Sequence, residues 1–214
     1  MNCNELVKRV RLVVNEAADD SDVSLLSADT RSLDDTITGL LPQAVLFVQM
    51  NKGAGRVNTK SIVPATLNVV ADVSGGGRIV LPDDFVKLVT LQLDGWMRPV
   101  TQLYPSDSRE AMWQMNEHTR AGYCKPVCVE SVAANGNRCA LLFPFHHGVD
   151  KPACFVYEAR FNAADGLDGY DDAMADAVVF ECASLLYTVF ERFDIANSLL
   201  AQALVACGGQ MGKK

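Results

Sequence analysis

Hydropathy along this chain changes period twice, and that switch decides most of what it can fold into. Near the start, the apolar residues Leu6, Val7, Val10, Val13, Val14 and Ala17 recur every three or four positions, as one face of a helix requires. Through the middle the apolar residues alternate, and from Asp171 onward the helical spacing returns. Alternation sends neighbouring side chains to opposite faces of a strand, whereas helical spacing aligns them in a stripe, so one stretch cannot serve both. The order predicts an α+β protein: a helical bundle formed by N- and C-terminal helices, with a β-rich middle extension.

Local signals sharpen this outline. Asn4 is placed to cap the first helix, and the acidic run Asp19-Asp20-Ser21-Asp22 ends it. Ser32-Leu33-Asp34-Asp35 looks like a capping box for a second helix, with Ile37, Leu40, Leu41, Ala44, Val45 and Val48 on one face. Pro42 falls inside that pattern and predicts a kink or a restart. Residues 1–50 are thus N-terminal helices, and the polar, Gly-containing residues 51–63 a flexible loop or arm.

The β-rich extension covers residues 64–160. Strands are expected over Thr66–Ala71 and Arg78–Leu81, joined by Ser74-Gly75-Gly76-Gly77, and over Val86–Leu93 and Trp96–Val100, joined by Asp94-Gly95. A short helix over 107–115 follows Tyr104-Pro105-Ser106. Asn135-Gly136, a strong hairpin signal, separates Pro126–Val132 from Arg138–Phe143, and Ala153–Arg160 is a further strand. Residues 170–207 are C-terminal helices. Asp171-Asp172 open the first, which reaches about Phe193 and carries a polar stripe of Glu181, Ser184, Thr188 and Arg192. Asp194 caps the last, Gly208-Gly209 close it, and 208–214 form a flexible tail. At 214 residues the whole chain is expected to be one domain.

The formal charge is −7 and the basic residues are scattered, with no run longer than Lys213-Lys214. A groove that grips nucleic acid must neutralise phosphates and usually shows a basic patch, so tight DNA or RNA binding is not expected. Met1-Asn2-Cys3-Asn4-Glu5 lacks the basic start and apolar core of a secretory leader, and no apolar run is long enough to span a bilayer. The seven cysteines form an odd set and several sit in apolar runs, which predicts free thiols in a reducing, cytoplasmic setting.

Motifs that carry chemistry do not assemble. Ahead of Lys60-Ser61, Ala54 and Thr59 stand where a phosphate-cradling loop needs its two glycines. Gly75-Gly76-Gly77 joins two strands and lacks dinucleotide spacing. Cys124, Cys128, Cys139, Cys154, His146 and His147 suggest zinc, but strand positions four apart lie ~13 Å apart and zinc-bound sulfurs only ~4 Å. Asp165, Asp168, Asp171 and Asp172 resemble a calcium loop, yet Leu167 and Gly169 occupy two ligand positions, and acids ahead of a helix suit its dipole. The expectation is no catalytic residue, no cofactor and no metal. The alternative is a small cytoplasmic enzyme with a pocket between helices and β-region, using Cys124, His118 or the Asp165–Asp172 cluster.

The last helix is the most unusual segment, because after Asp194 the next charged residue is Lys213. A surface helix should carry a charged face. Either its own domain encloses it, or another chain covers it through Leu199, Leu200, Leu204 and Met211. Trp96, beside Arg98, is either an interface anchor or simply part of its own sheet.

Several stretches together resemble a known family. They are Leu40-Leu41-Pro42-Gln43-Ala44 in the N-terminal helices, Ile79-Val80-Leu81-Pro82-Asp83-Asp84-Phe85-Val86-Lys87-Leu88, Gly95-Trp96-Met97-Arg98-Pro99-Val100, the run Asn116 to Pro126, and the closing pair of helices. This order is similar to the head-to-tail connector (adaptor, or ring) proteins of tailed phages, particularly short-tailed and crAss-like ones. The resemblance spans most of the chain but lies in a pattern, not in a diagnostic motif. It implies a structural virion protein made in the host cytoplasm, and a homo-oligomeric ring, commonly of twelve copies, at the virion neck. It further implies contact with the portal protein and with other ring or tail proteins, DNA passing through the lumen without specific binding, no membrane, and no catalytic residues.

Overall fold

A computed structural model of the chain describes residues 1–17, 30–52, 57, 59–133 and 135–208. Among these the elements run α1 (Cys3–Ala17), α2 (Thr30–Asn51), β1 (Thr59–Ser61), β2 (Val70–Ala71), β3 (Gly77–Val80), β4 (Phe85–Leu93) and β5 (Leu103–Tyr104). Then follow α3 (Arg109–Gln114), β6 (Val127–Val132), β7 (Arg138–Phe143), β8 (Pro152–Ala159), α4 (Asp172–Val189) and α5 (Phe193–Ala206). The protein is α+β, with helices at both ends of the sequence flanking a β-rich middle. The chain divides into two compact units, one formed by 1–58 with 160–214, the other by 59–159.

The helical unit is built around α4, which packs against α1, α2 and α5. Leu6, Val10 and Val14 of α1 meet Ile37, Leu41, Ala44, Val45 and Val48 of α2 and Ala177, Val178, Cys182, Ala183 and Leu186 of α4 in one buried cluster. Helix α1 begins two residues earlier than a cap at Asn4 would give. Asn2 is the cap, its side-chain oxygen accepting the Glu5 N–H at 2.8 Å, which satisfies a donor the first turn otherwise leaves open. Helix α2 neither stops nor restarts at Pro42. Burial of Leu41, Ala44, Val45 and Val48 around the proline offsets the roughly 3 kcal/mol an interior proline costs.

The polar stripe of α4 turns inward along part of its length. Glu181 and Ser184 are each only 5% exposed, and the Ser184 hydroxyl donates to the Ala196 carbonyl at 2.8 Å. Helix α4 ends at Val189, short of Phe193, because Glu191 takes a left-handed φ of 60° that reverses the chain. Arg192, not Asp194, holds the N-cap position of α5, and Asp194 lies in its first turn. Ala196, Leu199, Ala203 and Cys207 face inward at helical spacing, while Asp194, Asn197, Ser198 and Gln202 face out. Uncharged amides and a hydroxyl thus wet this helix where charges usually do.

The β unit contains a three-stranded sheet, β1-β8-β4, and a five-stranded sheet, β2-β3-β7-β6-β5. Their buried residues form one cluster, with Phe85, Leu88, Leu91, Phe155 and Tyr157 from the first sheet and Ile79, Cys128, Ala140 and Leu142 from the second. Shared burial of this kind is how two sheets cover each other's apolar faces. The β6–β7 hairpin keeps perfect register from Val127↔Phe143 to Val132↔Arg138.

Two expected strands shrink. Pro64 starts a 3₁₀ turn over Pro64–Thr66, leaving only Val70–Ala71 of the first. Of Trp96–Val100 only Val100 pairs, with Leu91, because the Trp96 N–H closes a turn on Leu93 and Pro99 has no N–H to offer. Part of the 51–63 arm is ordered structure: α2 runs to Asn51, and Thr59–Ser61 pairs with β8. Residues 53–56 and 58, the acidic run Asp19–Asp22 and the 209–214 tail lie outside the described residues.

Candidate functional site

The residues expected at an interface separate into three groups. Leu199 is 4% exposed and belongs to the core of the helical unit, so it is not available to another chain while α5 stays packed. Leu200 and Leu204 are half-buried, and Met211 lies outside the described residues. Trp96 takes the second of its two places: it is 3% exposed within its own β unit, and its indole N–H donates to the Pro144 carbonyl at 3.0 Å. A Trp buried in this way spends both its ring and its donor on the fold. Arg98 is exposed, beside the equally exposed Met97.

Each unit nevertheless presents an apolar surface. In the helical unit, Phe180 of α4 stands half-buried between two grooves along α5. One, of about 480 Å³, is lined by Val13, Phe180, Asp194, Ile195, Ser198, Leu199 and Gln202. The other, of about 460 Å³, is lined by Phe180, Ala201, Gln202, Val205 and Ala206. Val205 and Phe193 are exposed on α5.

In the β unit the surface is built by α3. Ser108 caps this short helix by accepting the Ala111 N–H, and Ala111 and Gln114 turn inward. Gln114 fits the interior because both ends of its amide are used: it accepts from Ala121 N at 2.8 Å and donates to the Glu110 carbonyl at 3.0 Å. That orientation leaves Met112, Trp113 and Met115 outside. The Arg109 guanidinium lies 4.5 Å over the Trp113 ring. Methionine, tryptophan and arginine are the residue types enriched in interface cores. Sequence reasoning missed this patch, since hydropathy alone puts Gln114 outside and Met112 and Trp113 inside.

The β unit also gathers Tyr123, His146 and Asp150, which the sequence places 23 and 27 positions apart. Asp150 is 8% exposed and accepts from the His146 N–H at 2.6 Å and the Tyr123 hydroxyl at 2.9 Å. The same hydroxyl meets Nδ1 of His146, and the two rings stack. One phenolic proton cannot serve two acceptors. With Tyr123 donating to Asp150, neutral His146 must carry its proton on Nδ1, leaving the Nε2 lone pair outward. Burial, then the bond to Asp150 and its charge, raise the Tyr123 pKa to about 12. The phenol therefore stays a donor at neutral pH and does not act as a nucleophile. Gly95 permits the cluster, since a Cβ there would lie 2.8 Å from both Asp150 and the Tyr123 ring. The arrangement clasps the 144–150 loop.

The other chemistry-bearing residues are used separately. Cys124 is exposed, its sulfur 3.4 Å from that of Met97. Burial raises the thiols of Cys128 and Cys139, which removes thiolate character at neutral pH. All seven cysteines are free. His118 is exposed, and its backbone N–H donates to the Asn116 side chain. Asp168 pairs with the Met1 ammonium at 3.1 Å, and Asp176 with Arg9 at 2.8 Å. Among the described residues no three His, Cys, Asp or Glu side chains are placed to hold a metal ion, and no helix is long and apolar enough to cross a membrane. The chain matches no protein-family model and no curated protein.

Proposed function

We propose that this chain is a structural virion protein: one protomer of a homo-oligomeric ring in the head-to-tail connector of a tailed phage. There it would join the portal protein to other ring or tail proteins and let DNA pass through the lumen without binding it specifically. The observation that carries the reading is a pair of chemically different apolar surfaces, the Met112–Trp113–Met115 face of α3 and the groove of Phe180, Ala201, Val205 and Ala206 along α5. A closed ring needs heterologous contact, in which one patch of each chain meets a different patch of the next. The net charge of −7 supports the reading a second way, because an acidic lumen repels phosphates and avoids the counterion release that would hold DNA in place.

The test is to mix the purified protein with a portal ring and measure mass by analytical ultracentrifugation, then to look for the chain at the neck of assembled virions by electron microscopy. Stoichiometric addition to the portal and a ring of density at the neck are expected. A protein that stays a monomer beside the portal and is missing from the neck would end the proposal.

A further inference from the structure

Among the described residues of the helical unit, Glu181 is the one buried carboxylate. It lies on α4, 5% exposed, one turn from Ser184, which is bonded to α5 at the Ala196 carbonyl. Its Oε2 atom is fully enclosed and has no hydrogen-bond partner. The titratable groups that interact with it are two thiols, Cys182 beside it on α4 and Cys207 at the C-cap of α5. Among the described residues no charged group of α1, α2, α4 or α5 contributes to its titration, which burial moves upward. The C-terminal end of α5, where Cys207 lies, adds the negative pole of the helix dipole, which disfavours a nearby anion further.

A buried carboxyl without a cation has two ways to lower its energy: hold a proton, or reach water. The second requires α5 to move, since Glu181 lies in the α4–α5 seam, between the Ser184 bond to Ala196 and Cys207 at the C-cap of α5, whose thiol its charge raises. The tight reversal at Glu191 joins α4 to α5 over Phe190–Arg192, which gives α5 a short hinge at its start.

We propose that Glu181 is a proton-controlled latch on α5: protonated, it lets α5 stay packed on α4, and ionised, it drives α5 off and exposes the face of Leu199, Ala203 and Cys207. The latch uses only contacts inside one chain and does not depend on the ring reading. The sign follows from the direction of the shift. A carboxyl raised above its unfolded value of 4.5 contributes fully below that pH, and the contribution fades as pH climbs through the folded value. Opening of α5 should therefore grow up to about tenfold per pH unit above 4.5, levelling off once Glu181 is ionised in the packed state.

Amide hydrogen exchange by mass spectrometry on the full chain reads this directly, as protection factors of α5 relative to α1 between pH 4.5 and pH 8. The wild type should lose at least tenfold of the α5 protection across that range, whereas Glu181→Gln and Glu181→Leu should lose none. Parallel profiles for wild type and variants would overturn the latch. Should both variants fail to fold, the wild type still decides the matter: a Glu181 carboxyl carbon that titrates by NMR at an ordinary glutamate pKa overturns it, and one titrating above, together with the α5 loss, supports it.

Discussion

The two units bury polar groups by the same means but differ at one residue, Glu181 of α4. In the β unit, buried polar atoms are spent on closing loops. Asp150 clasps 144–150 through Tyr123 and the His146 backbone, Trp96 reaches Pro144, and Gln114 uses both ends of its amide. Arg120 donates to the carbonyls of Gln114 and Ser74, tying the β2–β3 turn to the segment after α3. In the helical unit Ser184 and Tyr187 are satisfied by the Ala196 and Val14 carbonyls, while Glu181, in the same α4–α5 seam as Ser184, is left with an enclosed oxygen unbonded. A satisfied polar group fixes one geometry, while an unsatisfied one makes its neighbourhood conditional on protonation. On the latch proposed above, α5 is the conditional element.

The largest effects should come from each core. Phe155 is 1% exposed and stacks with Phe85 and Tyr157, so Phe155→Ala should cost about 3–5 kcal/mol. Leu186, fully buried in the helical unit, should cost about 2–5 kcal/mol on truncation to Ala. Both tryptophans lie in the β unit, so their fluorescence follows that unit while far-ultraviolet circular dichroism is dominated by the helices. Phe155→Ala should move the fluorescence midpoint in urea, and Leu186→Ala the dichroism midpoint. Equal movement of both probes by both variants would break the comparison.

Next comes the clasp. Asp150→Ala strands the Tyr123 hydroxyl and the His146 N–H, and should cost about 1–3 kcal/mol, with exchange protection lost first at 145–150. Gly76→Ala should cost a similar 1–3 kcal/mol by overpacking, because its Cβ would lie 2.6 Å from the Phe143 ring and 2.8 Å from the Leu142 carbonyl. A thermal melt within half a degree of wild type for either variant would show that these contacts are slack.

Proton linkage should separate the units by sign. Burial pushes Asp84 up, but hydrogen bonds from Lys60 and Tyr157 together with the Lys60 charge outweigh it and leave the carboxyl below its usual 3.8. A depressed carboxyl contributes above its unfolded value and is lost as pH falls, so acid should loosen the β unit. Glu181 is raised, so acid should tighten the helical unit and base loosen it. Melts followed by the two probes from pH 3 to pH 8 should diverge, and Asp84→Asn should flatten only the fluorescence arm.

Legibility in the sequence divides along similar lines. Periodicity located α4, β4, β6, β7 and β8 closely, because each buries a continuous face and burial is what periodicity records. Asn135-Gly136 and the Gly75–Gly77 run marked turns, where Gly75 and Gly136 do take positive φ. What hydropathy could not convey was direction. Gln114 turns in because Ala121 and Glu110 meet its amide, and that turn is what exposes Trp113. The uncharged α5 suggested a covered helix, yet Asn197, Ser198 and Gln202 keep its outer face wet without charge. The Tyr123–His146–Asp150 cluster had no local signal, because loops from distant positions assemble it.

The smallest effect on stability should accompany the largest effect on association. Met112 and Met115 are 63% and 55% exposed, so Met112→Lys with Met115→Lys, which keeps each side chain's apolar stem and leaves Trp113 in place, should change stability by no more than about 0.5 kcal/mol. If α3 is one of the two surfaces a ring subunit needs, the same pair should abolish addition to the portal, since aromatic and Met anchors dominate contact energy. Because the cap Ser108 and the buried Ala111 and Gln114 are untouched, α3 itself should persist. Normal melting with lost assembly assigns the patch to contact. Normal melting with unchanged assembly leaves α3 as plain surface, and the difference between the units is then Glu181 alone.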